Sequence, residues 1–360
     1  MALFDFYNIS SRALTLLSAE TGHRLALKAL ANGLGPQGEA NEPKGLSQTI
    51  WQRTFLNPVA ISAGFDKNGI AISGVLKLGV GFIEVGGVTP IAQKGNPKPR
   101  LFRLEKDKAA INRLGFNNLG SDQLLSRIRQ HNITHTNSSP IGINLAANSD
   151  STDPSNDFEG LVDKFASQID FLTVDISCPN SKNGLVFLSP KPLKNLLNKL
   201  IEIRDRKDLQ KPPALLVKLS PDIEYRELDI LVEVIVNAGI DGITISNTTV
   251  KRPKDLTSPR KNEVGGLSGK PLFLISTEML RYVFKITGGN IPLVGVGGIS
   301  SGADAYEKIC AGASLVQVYT ALVYNGPKLI FNIKNDLAKL LESNGFSSIK
   351  DAIGSKNKID

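Results

Sequence analysis

The chain alternates short apolar runs with longer amphipathic stretches over most of its length. Eight runs rich in Val, Ile and Leu have the length and composition of strands buried on both faces, at 58–62, 82–85, 141–145, 171–176, 214–219, 242–246, 293–296 and 315–319. Most of the intervals between them show helical periodicity, as at 193–204, 228–238 and 303–311. Eight strand–helix units over about 270 residues predict an α/β fold, a (β/α)8 TIM barrel.

Two of the intervals, 87–140 and 247–292, are longer than one helix and two turns require. We expect these intervals to carry insertions over one mouth of the barrel, because barrel enzymes elaborate the loops at the carboxyl ends of their strands.

The first 35 residues predict a helical extension in place of alternating strands and helices. Side chains recur on one face at Phe6, Ile9, Ala13, Leu16 and Leu17, and on the next at His23, Ala26, Leu27 and Leu30. Ser18 can cap the second helix, and Gly33, Gly35 and Pro36 end it. The Gly/Pro-rich linker at 33–45 predicts an N-terminal segment at 1–40 and a barrel at 46–360. Such amphipathic helices can lie on a membrane surface, or they can form a cap packed on the barrel.

Composition and charge narrow the class of protein. Of the 360 residues 41% are hydrophobic and 21% charged, as in folded globular chains, and no run approaches the roughly 20 apolar residues of a membrane span. Two cysteines form no disulfide framework, which favours a reducing compartment, and the three histidines show no metal-ligand spacing, so we expect no metal. The net charge of +8 favours an anionic partner, but no nucleic-acid motif accompanies it, so we expect no nucleic acid.

Polar residues and glycines crowd the carboxyl ends of the predicted strands, where barrel enzymes place their chemistry. In chain order these ends carry Ala63-Gly64-Phe65-Asp66-Lys67, Gly87, Asn144, Asp175, Cys178, Asn180, Lys218, Ser246-Asn247-Thr248, Gly297-Gly298 and Tyr319-Thr320. Turns explain the glycines, but they do not explain asparagines and lysines at matching ends. The pattern therefore predicts a functional mouth.

A few of these positions suggest specific chemical roles. Gly297-Gly298 fits a phosphate cradle of backbone N–H groups, although a tight turn has the same sequence. The Lys218 ammonium follows an apolar strand, so it meets either an electron-rich ring or anion at the mouth, or a carboxylate such as Asp222. Cys178 is either a reactive thiol in a constrained loop or a small buried apolar residue, whereas the helical pattern around Cys310 predicts a core residue.

Five motifs in this chain resemble those of the dihydroorotate dehydrogenase family, and the resemblance covers nearly the whole chain. They are Ala63-Gly64-Phe65-Asp66-Lys67-Asn68-Gly69, Asn112-Arg113-Leu114-Gly115-Phe116-Asn117-Asn118, Gly265-Gly266-Leu267-Ser268-Gly269, Gly295-Val296-Gly297-Gly298-Ile299 and Gly312-Ala313-Ser314-Leu315-Val316-Gln317-Val318-Tyr319. The N-terminal helical extension resembles that of the membrane-associated, quinone-reducing class, class 2.

The resemblance implies an FMN-containing barrel that oxidises dihydroorotate to orotate in pyrimidine (UMP) synthesis. A base, here Cys178, would remove a proton from C5, a hydride would pass from C6 to flavin N5, and quinone would reoxidise the flavin. The residues that would hold FMN are Ala63, Gly64, Phe65, Asp66, Lys67, Gly87, Asn144, Asp175, Lys218, Ser246, Gly269, Gly298, Tyr319 and Thr320. The residues that would face the substrate are Lys67, Asn112, Arg113, Leu114, Gly115, Phe116, Asp175, Asn180, Asn247 and Thr248. Lysine and asparagine suit a planar anion bordered by carbonyl and N–H groups, whereas Arg113 could instead brace its loop.

Four positions depart from the family pattern. Cys178 stands where this class has a serine base, and a thiol, with a reference pKa of about 8.5, can take a proton without a partner base. Asp175 stands where the family has an asparagine that contacts flavin and orotate. An ionised carboxylate offers no N–H donor and repels an anion, so we expect weaker orotate binding unless Asp175 is protonated or paired with Lys67 or Lys218. Gly87 and Ser246 each replace a threonine, and only the serine keeps a hydroxyl.

Three other functions stay open on the sequence. A soluble-type oxidase using fumarate or NAD explains Cys178 but gives residues 1–35 no role, and a catalytically impaired flavin-binding homologue explains Asp175. A phosphate-binding lyase or isomerase explains Gly297-Gly298 but not Lys218. The class 2 resemblance implies dihydroorotate or orotate and quinone as ligands, and peripheral association with the cytoplasmic face of the cell inner membrane.

Overall fold

Eight parallel strands form a closed barrel at the centre of the computed structural model, which describes residues 14–38, 42–135, 139–177 and 186–357. In order around the barrel they are β3 (Val59–Ile61), β4 (Phe82–Val88), β7 (Ile141–Leu145), β8 (Phe171–Asp175), β9 (Ala214–Leu219), β10 (Gly242–Ile245), β12 (Leu293–Val296) and β13 (Ala313–Val318). Every one of the eight predicted runs is a barrel strand. The predicted TIM barrel is therefore confirmed.

Helices follow most of the strands and cover the outside of the barrel. They are α1 (Ala19–Ala31), α2 (Ile72–Leu76), α3 (Ser121–Thr134), α4 (Pro154–Phe165), α5 (Pro190–Asp205), α6 (Tyr225–Asn237), α7 (Phe273–Ile286), α8 (Gly302–Cys310), α9 (Thr320–Asn325), α10 (Lys328–Ser343) and α11 (Ile349–Ala352), with 3₁₀ turns at Val186–Leu188, Lys270–Leu272 and Ser355–Asn357. Apolar residues three or four apart face the strands, and on α5 the buried set is Leu193, Leu196, Leu197, Leu200 and Ile203. Cys310 is fully buried at the end of α8, as predicted.

The amino-terminal end of the barrel is closed by apolar side chains. A hairpin of β1 (Gln48–Ile50) and β2 (Arg53–Phe55) lies across this end, and Phe55 packs edge-on against Phe82 at 5.3 Å between ring centres. Trp51 contacts Phe171 from the hairpin turn, and its indole Nε1 donates to the carbonyl oxygen of Asp241 at 2.8 Å. Access to the barrel interior is therefore from the carboxyl ends of the strands.

The two long intervals supply a second sheet above this open end. It has three antiparallel strands, β5 (Leu101–Leu104), β6 (Ala109–Asn112) and β11 (Gly266–Gly269), with β6 in the middle. An isolated bridge between Thr249 and Leu267 joins the sheet to the loop after β10. The predicted insertions thus form one structure over the mouth.

The helix α1 packs beside this sheet and begins at the predicted cap. The Ser18 hydroxyl accepts from the backbone N–H of Thr21, and Glu20 forms an ion pair with Arg100 at 2.7 Å. Most of the predicted first helix lies at 1–13, outside the described residues. Within the described part of the chain, no helix is both long enough and apolar enough to cross a bilayer. The domain boundary at 40–46 stays a prediction.

Candidate active site

A cavity of about 540 Å³ lies between the open end of the barrel, the antiparallel sheet and α1. The predicted site residues that line it are Ala63, Gly64, Phe65, Lys67, Gly87, Asn112, Leu114, Gly115, Phe116, Asn144, Asp175, Lys218, Ser246, Asn247, Thr248, Gly269, Gly298, Tyr319 and Thr320. Cys178 and Asn180 lie outside the described residues. Ligand pockets of this size hold molecules as large as a nucleotide cofactor.

Asp66 and Arg113 stand behind the cavity wall. The Asp66 carboxylate accepts from the backbone N–H groups of Ile70 and Ala71 at 3.0 and 2.7 Å, and so shapes the turn that carries Lys67. Burial raises the pKa of Asp66, while these hydrogen bonds act to lower it. Arg113 donates to the Glu263 carboxylate at 2.8 Å and to two backbone carbonyls, so it braces its loop.

Lys67 projects from the turn after β3 toward the antiparallel sheet. Its Nζ donates to Oδ1 of Asn117 at 3.0 Å, which connects the barrel wall to the loop that carries Leu114, Gly115 and Phe116. The turn and the loop therefore enclose one corner of the cavity with a cation between them.

Asp175 ends β8 and is bound by neighbours other than the two lysines expected from the sequence. Its Oδ1 accepts from the backbone N–H and hydroxyl of Ser177, at 3.1 and 2.8 Å, and the amide of Asn247 lies 3.3 Å away. Asn247 Oδ1 in turn accepts from the backbone N–H of Thr248 at 2.7 Å. Asp175 thus fixes the start of the loop that leads to Cys178, and orients the Asn247 amide.

Lys218 is the penultimate residue of β9, lies directly opposite Asp175 in the strand register and is 6% exposed. Within the described part of the chain its ammonium has no hydrogen bond or ion pair. The alternative partner Asp222 is engaged elsewhere, by the Thr249 hydroxyl and the backbone N–H of Val250. A buried ammonium facing a cavity without a partner fits an electron-rich or anionic ligand.

Gly87 leaves no space for the threonine side chain that the family pattern has at this position. A Cβ at Gly87 would lie 2.9 Å from Oδ1 of Asn144 and 3.0 Å from the ring of Phe116. The missing side chain is replaced by the Phe116 ring, so this departure is accommodated by the packing of the mouth.

The glycines after β12 take a conformation that only glycine adopts easily. Gly297 and Gly298 have φ of 107° and 77°, and a Cβ on Gly298 would lie 2.5 Å from the backbone of Phe273 at the start of α7. Both glycines line the cavity, next to Tyr319 and Thr320. Their exposed backbone suits a phosphate group.

A buried polar group below the cavity was not identified from the sequence. The Glu84 carboxylate on β4 is 1% exposed and accepts from the amides of Asn144 and Gln317, at 3.2 and 2.5 Å. Gln317 lines the cavity, and its buried Oε1 has no hydrogen-bond partner among the residues that the structure describes. A glutamate inside the apolar run at 82–85 is the signal that could have revealed this network.

The residues that line the cavity form two parts. The polar arm carries the predicted site residues described above, and the apolar arm is formed largely by α1 and the residues around it. It is lined by Leu14, Ala19, Gly22, Ala26, Leu30, Leu34 and Pro36. His23 lies where this arm meets the polar one, and its ring Nε2 is 2.8 Å from the carbonyl oxygen of Phe65. Burial lowers the pKa of His23, so the imidazole is neutral at pH 7 and donates this hydrogen bond.

The fold and the site define a barrel enzyme with a closed floor and one branched cavity at its mouth. The sequence profile of the dihydroorotate dehydrogenase family matches residues 45–341. The mitochondrial dihydroorotate dehydrogenase (quinone) of Arabidopsis thaliana is 43% identical over 99% of this chain and 83% of its own. The dihydroorotate dehydrogenase (quinone) of Parvibaculum lavamentivorans is 43% identical over 97% of this chain and 98% of its own. A crystal structure of DHODH from Eimeria tenella in complex with ferulenol superposes with a TM-score of 0.91, at 34% identity over 95% of this chain and 96% of that one.

The chain therefore belongs to the dihydroorotate dehydrogenase family, and its relatives place it in the quinone-dependent class. This is the family that the five motifs indicate. The relatives' names do not favour the fumarate- or NAD-dependent alternative, nor an inactive homologue.

Proposed function

We propose that this cavity oxidises dihydroorotate to orotate for UMP synthesis, with FMN as the hydride acceptor and quinone as the final oxidant. The observation that supports the proposal is that one cavity contains both arms. The polar arm suits a planar anion, and the apolar arm suits a quinone. Dihydroorotate and quinone would then approach one cofactor from different parts of the same cavity.

The residues present fit an FMN group. Gly269, Gly298, Tyr319 and Thr320 would hold its phosphate. The Lys218 ammonium, which has no partner among the described residues, and the buried Oε1 of Gln317 belong to side chains that line the same cavity. When bound, the flavin supplies a hydride acceptor at N5 and returns the electrons to quinone. The Lys218 charge would stabilise negative charge that develops on the ring.

The substrate would occupy the corner between the turn after β3 and the loop after β10. Lys67 would neutralise its carboxylate, and the side chains of Asn112, Asn247 and Thr248 would hydrogen-bond its edges. The loop carrying Leu114, Gly115 and Phe116 covers this corner and excludes water from it.

Cys178 would be the base. It follows Ser177, whose backbone and hydroxyl are both held by Asp175 at the carboxyl end of β8. The thiolate would take the C5 proton of dihydroorotate while the C6 hydride leaves, so the C5–C6 bond becomes the double bond of orotate. Asn180, two residues further along, would bind the substrate from the same loop.

The apolar arm would admit quinone from a membrane surface. Four exposed leucines, Leu16, Leu17, Leu25 and Leu34, lie on or next to α1, together with the exposed cations Arg24 and Lys28. Exposed apolar side chains flanked by basic ones favour peripheral binding to an anionic lipid surface. We place this surface at the cytoplasmic face of the cell inner membrane.

The test is rapid anaerobic mixing of the purified flavoprotein with dihydroorotate, with flavin absorbance as the readout. Cys178→Ala should keep the flavin yet slow its reduction by about 10²-fold or more, and Cys178→Ser should retain partial activity that rises more steeply with pH. Cys310→Ala, at the other cysteine, should leave the rate near that of the parent. Unchanged reduction in Cys178→Ala would remove Cys178 from the mechanism, and a colourless parent would contradict the flavin itself.

A further inference from the structure

Lys308, on the outer helix α8, is a fully buried cation without a carboxylate partner in the described structure. Its side chain is 0% exposed, and its Nζ donates to the hydroxyls of Ser276 and Thr277 at 2.8 and 2.9 Å. The nearest acidic residues on its own helix are engaged elsewhere, Asp304 by Ser300 and Glu307 by Arg281 and Lys356. The Phe273 ring, whose centre lies 5.2 Å from Nζ, offsets part of the cost of burying this ammonium, and a nearby anion would offset more of it.

The two hydroxyls connect Lys308 to Gly297 and Gly298, the glycine segment, at the cavity wall. Because the ammonium donates to both hydroxyl oxygens, each hydroxyl must direct its own proton away from the lysine. The Thr277 hydroxyl donates to the carbonyl oxygen of Phe273 at 2.6 Å. The Ser276 hydroxyl lies 3.1 Å from each of two carbonyl oxygens, those of Phe273 and Gly297. The charged lysine therefore directs the Ser276 proton toward these two carbonyls, one of which belongs to Gly297.

This contact reaches the segment from behind, on the side opposite the cavity. A Cβ on Gly295 would lie 3.2 Å from Cδ of Lys308, and a Cβ on Gly297 would lie 2.8 Å from the Ser276 hydroxyl. The carbonyl of Gly297 points back to Ser276, while Gly297 and Gly298 themselves line the cavity. Holding the carbonyl behind the wall leaves the other face of the segment to a ligand.

We propose that Lys308 is a positioning residue for the phosphate of the flavin. Through Ser276 it fixes the Gly297–Gly298 segment, and its charge, which no described carboxylate pairs with, favours a dianion on the cavity side of that segment. The inference rests on the proposed FMN site. It adds that Lys308, which does not touch the ligand, favours a flavin that carries a phosphate over one that lacks it. Burial lowers the pKa of Lys308 to about 7 against the opposing effect of Asp304 and Glu307, so a nearby anion would stabilise its charged form.

The test compares the affinity of the flavin-depleted full-length protein for FMN and for riboflavin, which lacks the phosphate. Lys308→Met should weaken FMN binding by about tenfold or more and riboflavin binding by less than about twofold, measured by quenching of flavin fluorescence. Lys334→Met is the matched control, since Lys334 is also buried, at 2% exposure, but its ammonium pairs with the Glu42 carboxylate at 2.9 Å. It should leave the ratio of the two affinities unchanged.

A second variant keeps the proposal testable if Lys308→Met does not fold. Ser276→Ala retains the charge but removes the link to Gly297, and it should also lower the preference for FMN over riboflavin, by a smaller factor. Equal weakening of both flavins in these variants, or no weakening, overturns the role of Lys308 while leaving the flavin site intact. A parent that binds neither flavin overturns the proposed function and this inference with it.

Discussion

The side chain of Lys218 combines burial, charge and the lack of a partner in the described part of the chain. A structural lysine would have found the Asp222 carboxylate, which instead binds Thr249 and Val250. Burying an uncompensated charge lowers the stability of a protein, and such an arrangement persists where a ligand offsets it. We therefore expect Lys218 to lower the stability of the ligand-free protein and to strengthen the binding of a ligand.

Replacing Lys218 with Met should separate these two effects. The free energy of unfolding of the flavin-free protein should rise by about 1 to 3 kcal/mol, because a buried unpaired charge is removed at nearly constant volume. Flavin affinity should fall by about tenfold or more. Urea denaturation and flavin fluorescence measure the two quantities.

The exposed Lys254 provides the control, since Lys254→Met should alter neither quantity. Loss of stability in Lys218→Met together with unchanged flavin affinity would show that Lys218 is structural.

For single residues, the sequence predicts the position in the fold but not the hydrogen-bond partners. That Asp175 lies at the mouth follows from its place at the end of a strand, but its partners Ser177 and Asn247 depend on the loops after two different strands. The same limit applies to Arg113, whose loop-bracing contacts with Glu263 and Val264 come from the second insertion. Strand ends are predictable from local pattern, whereas the choice among neighbours is made by tertiary packing.

Among the elements, the barrel strands were predictable and the antiparallel sheet was not. The barrel strands are continuous apolar runs because both of their faces are buried. The three strands of the second sheet include Arg103, Asn112 and Gly266, and the hydrogen bond from Asn112 to Gly266 spans 154 residues of sequence. No local pattern specifies a pairing of that separation.

The helix α1 should be dispensable for the first half of the reaction and required for the second. Deleting residues 1–35 removes the Glu20–Arg100 ion pair and most of the apolar arm, but leaves Lys67, Lys218 and the glycine segment in place. Flavin reduction by dihydroorotate should therefore persist, while turnover with quinone and binding to lipid vesicles should fall greatly. Stopped-flow absorbance, steady-state turnover and vesicle sedimentation test the three parts.

The matching control is Glu20→Gln, which weakens the attachment of α1 without removing its apolar surface. It should affect vesicle binding little. Full quinone turnover in the truncated protein would rule out the role assigned to α1.

At the scale of the whole molecule, stability should decrease on the acidic side of pH 6.5. His131 on α3 is 5% exposed, its Nδ1 lies 3.0 Å from the Ser73 hydroxyl, and its ring stacks on His135. Burial, and secondarily the charge of His135, lowers the pKa of His131. The unfolded chain therefore binds the proton first as the pH falls, and the folded state loses stability from about pH 6.5 down through the lowered pKa.

His131→Gln should reduce this dependence, because the variant lacks the buried His131 imidazole. The part that remains is expected from His23, whose pKa burial also lowers. Urea denaturation at about pH 7.5 and about pH 5.5 measures the difference for parent and variant. His135→Gln, in the exposed neighbour, should retain most of the dependence. An unchanged slope in His131→Gln would assign the acid sensitivity to other groups.

The closure of the barrel has a consequence for how the protein is made. The strand that begins the barrel, β3, pairs with the strand that ends it, β13, with Val59 opposite Val316. On the ribosome the nascent chain therefore carries an unpaired edge at β3 until almost the entire sequence has emerged, and open edges invite aggregation. The glycine segment and Thr320 also come late in the chain. The proposed cofactor site is therefore complete only when the barrel closes. Synthesis that stops before β13 should yield a target for proteolysis and no partly active fragment.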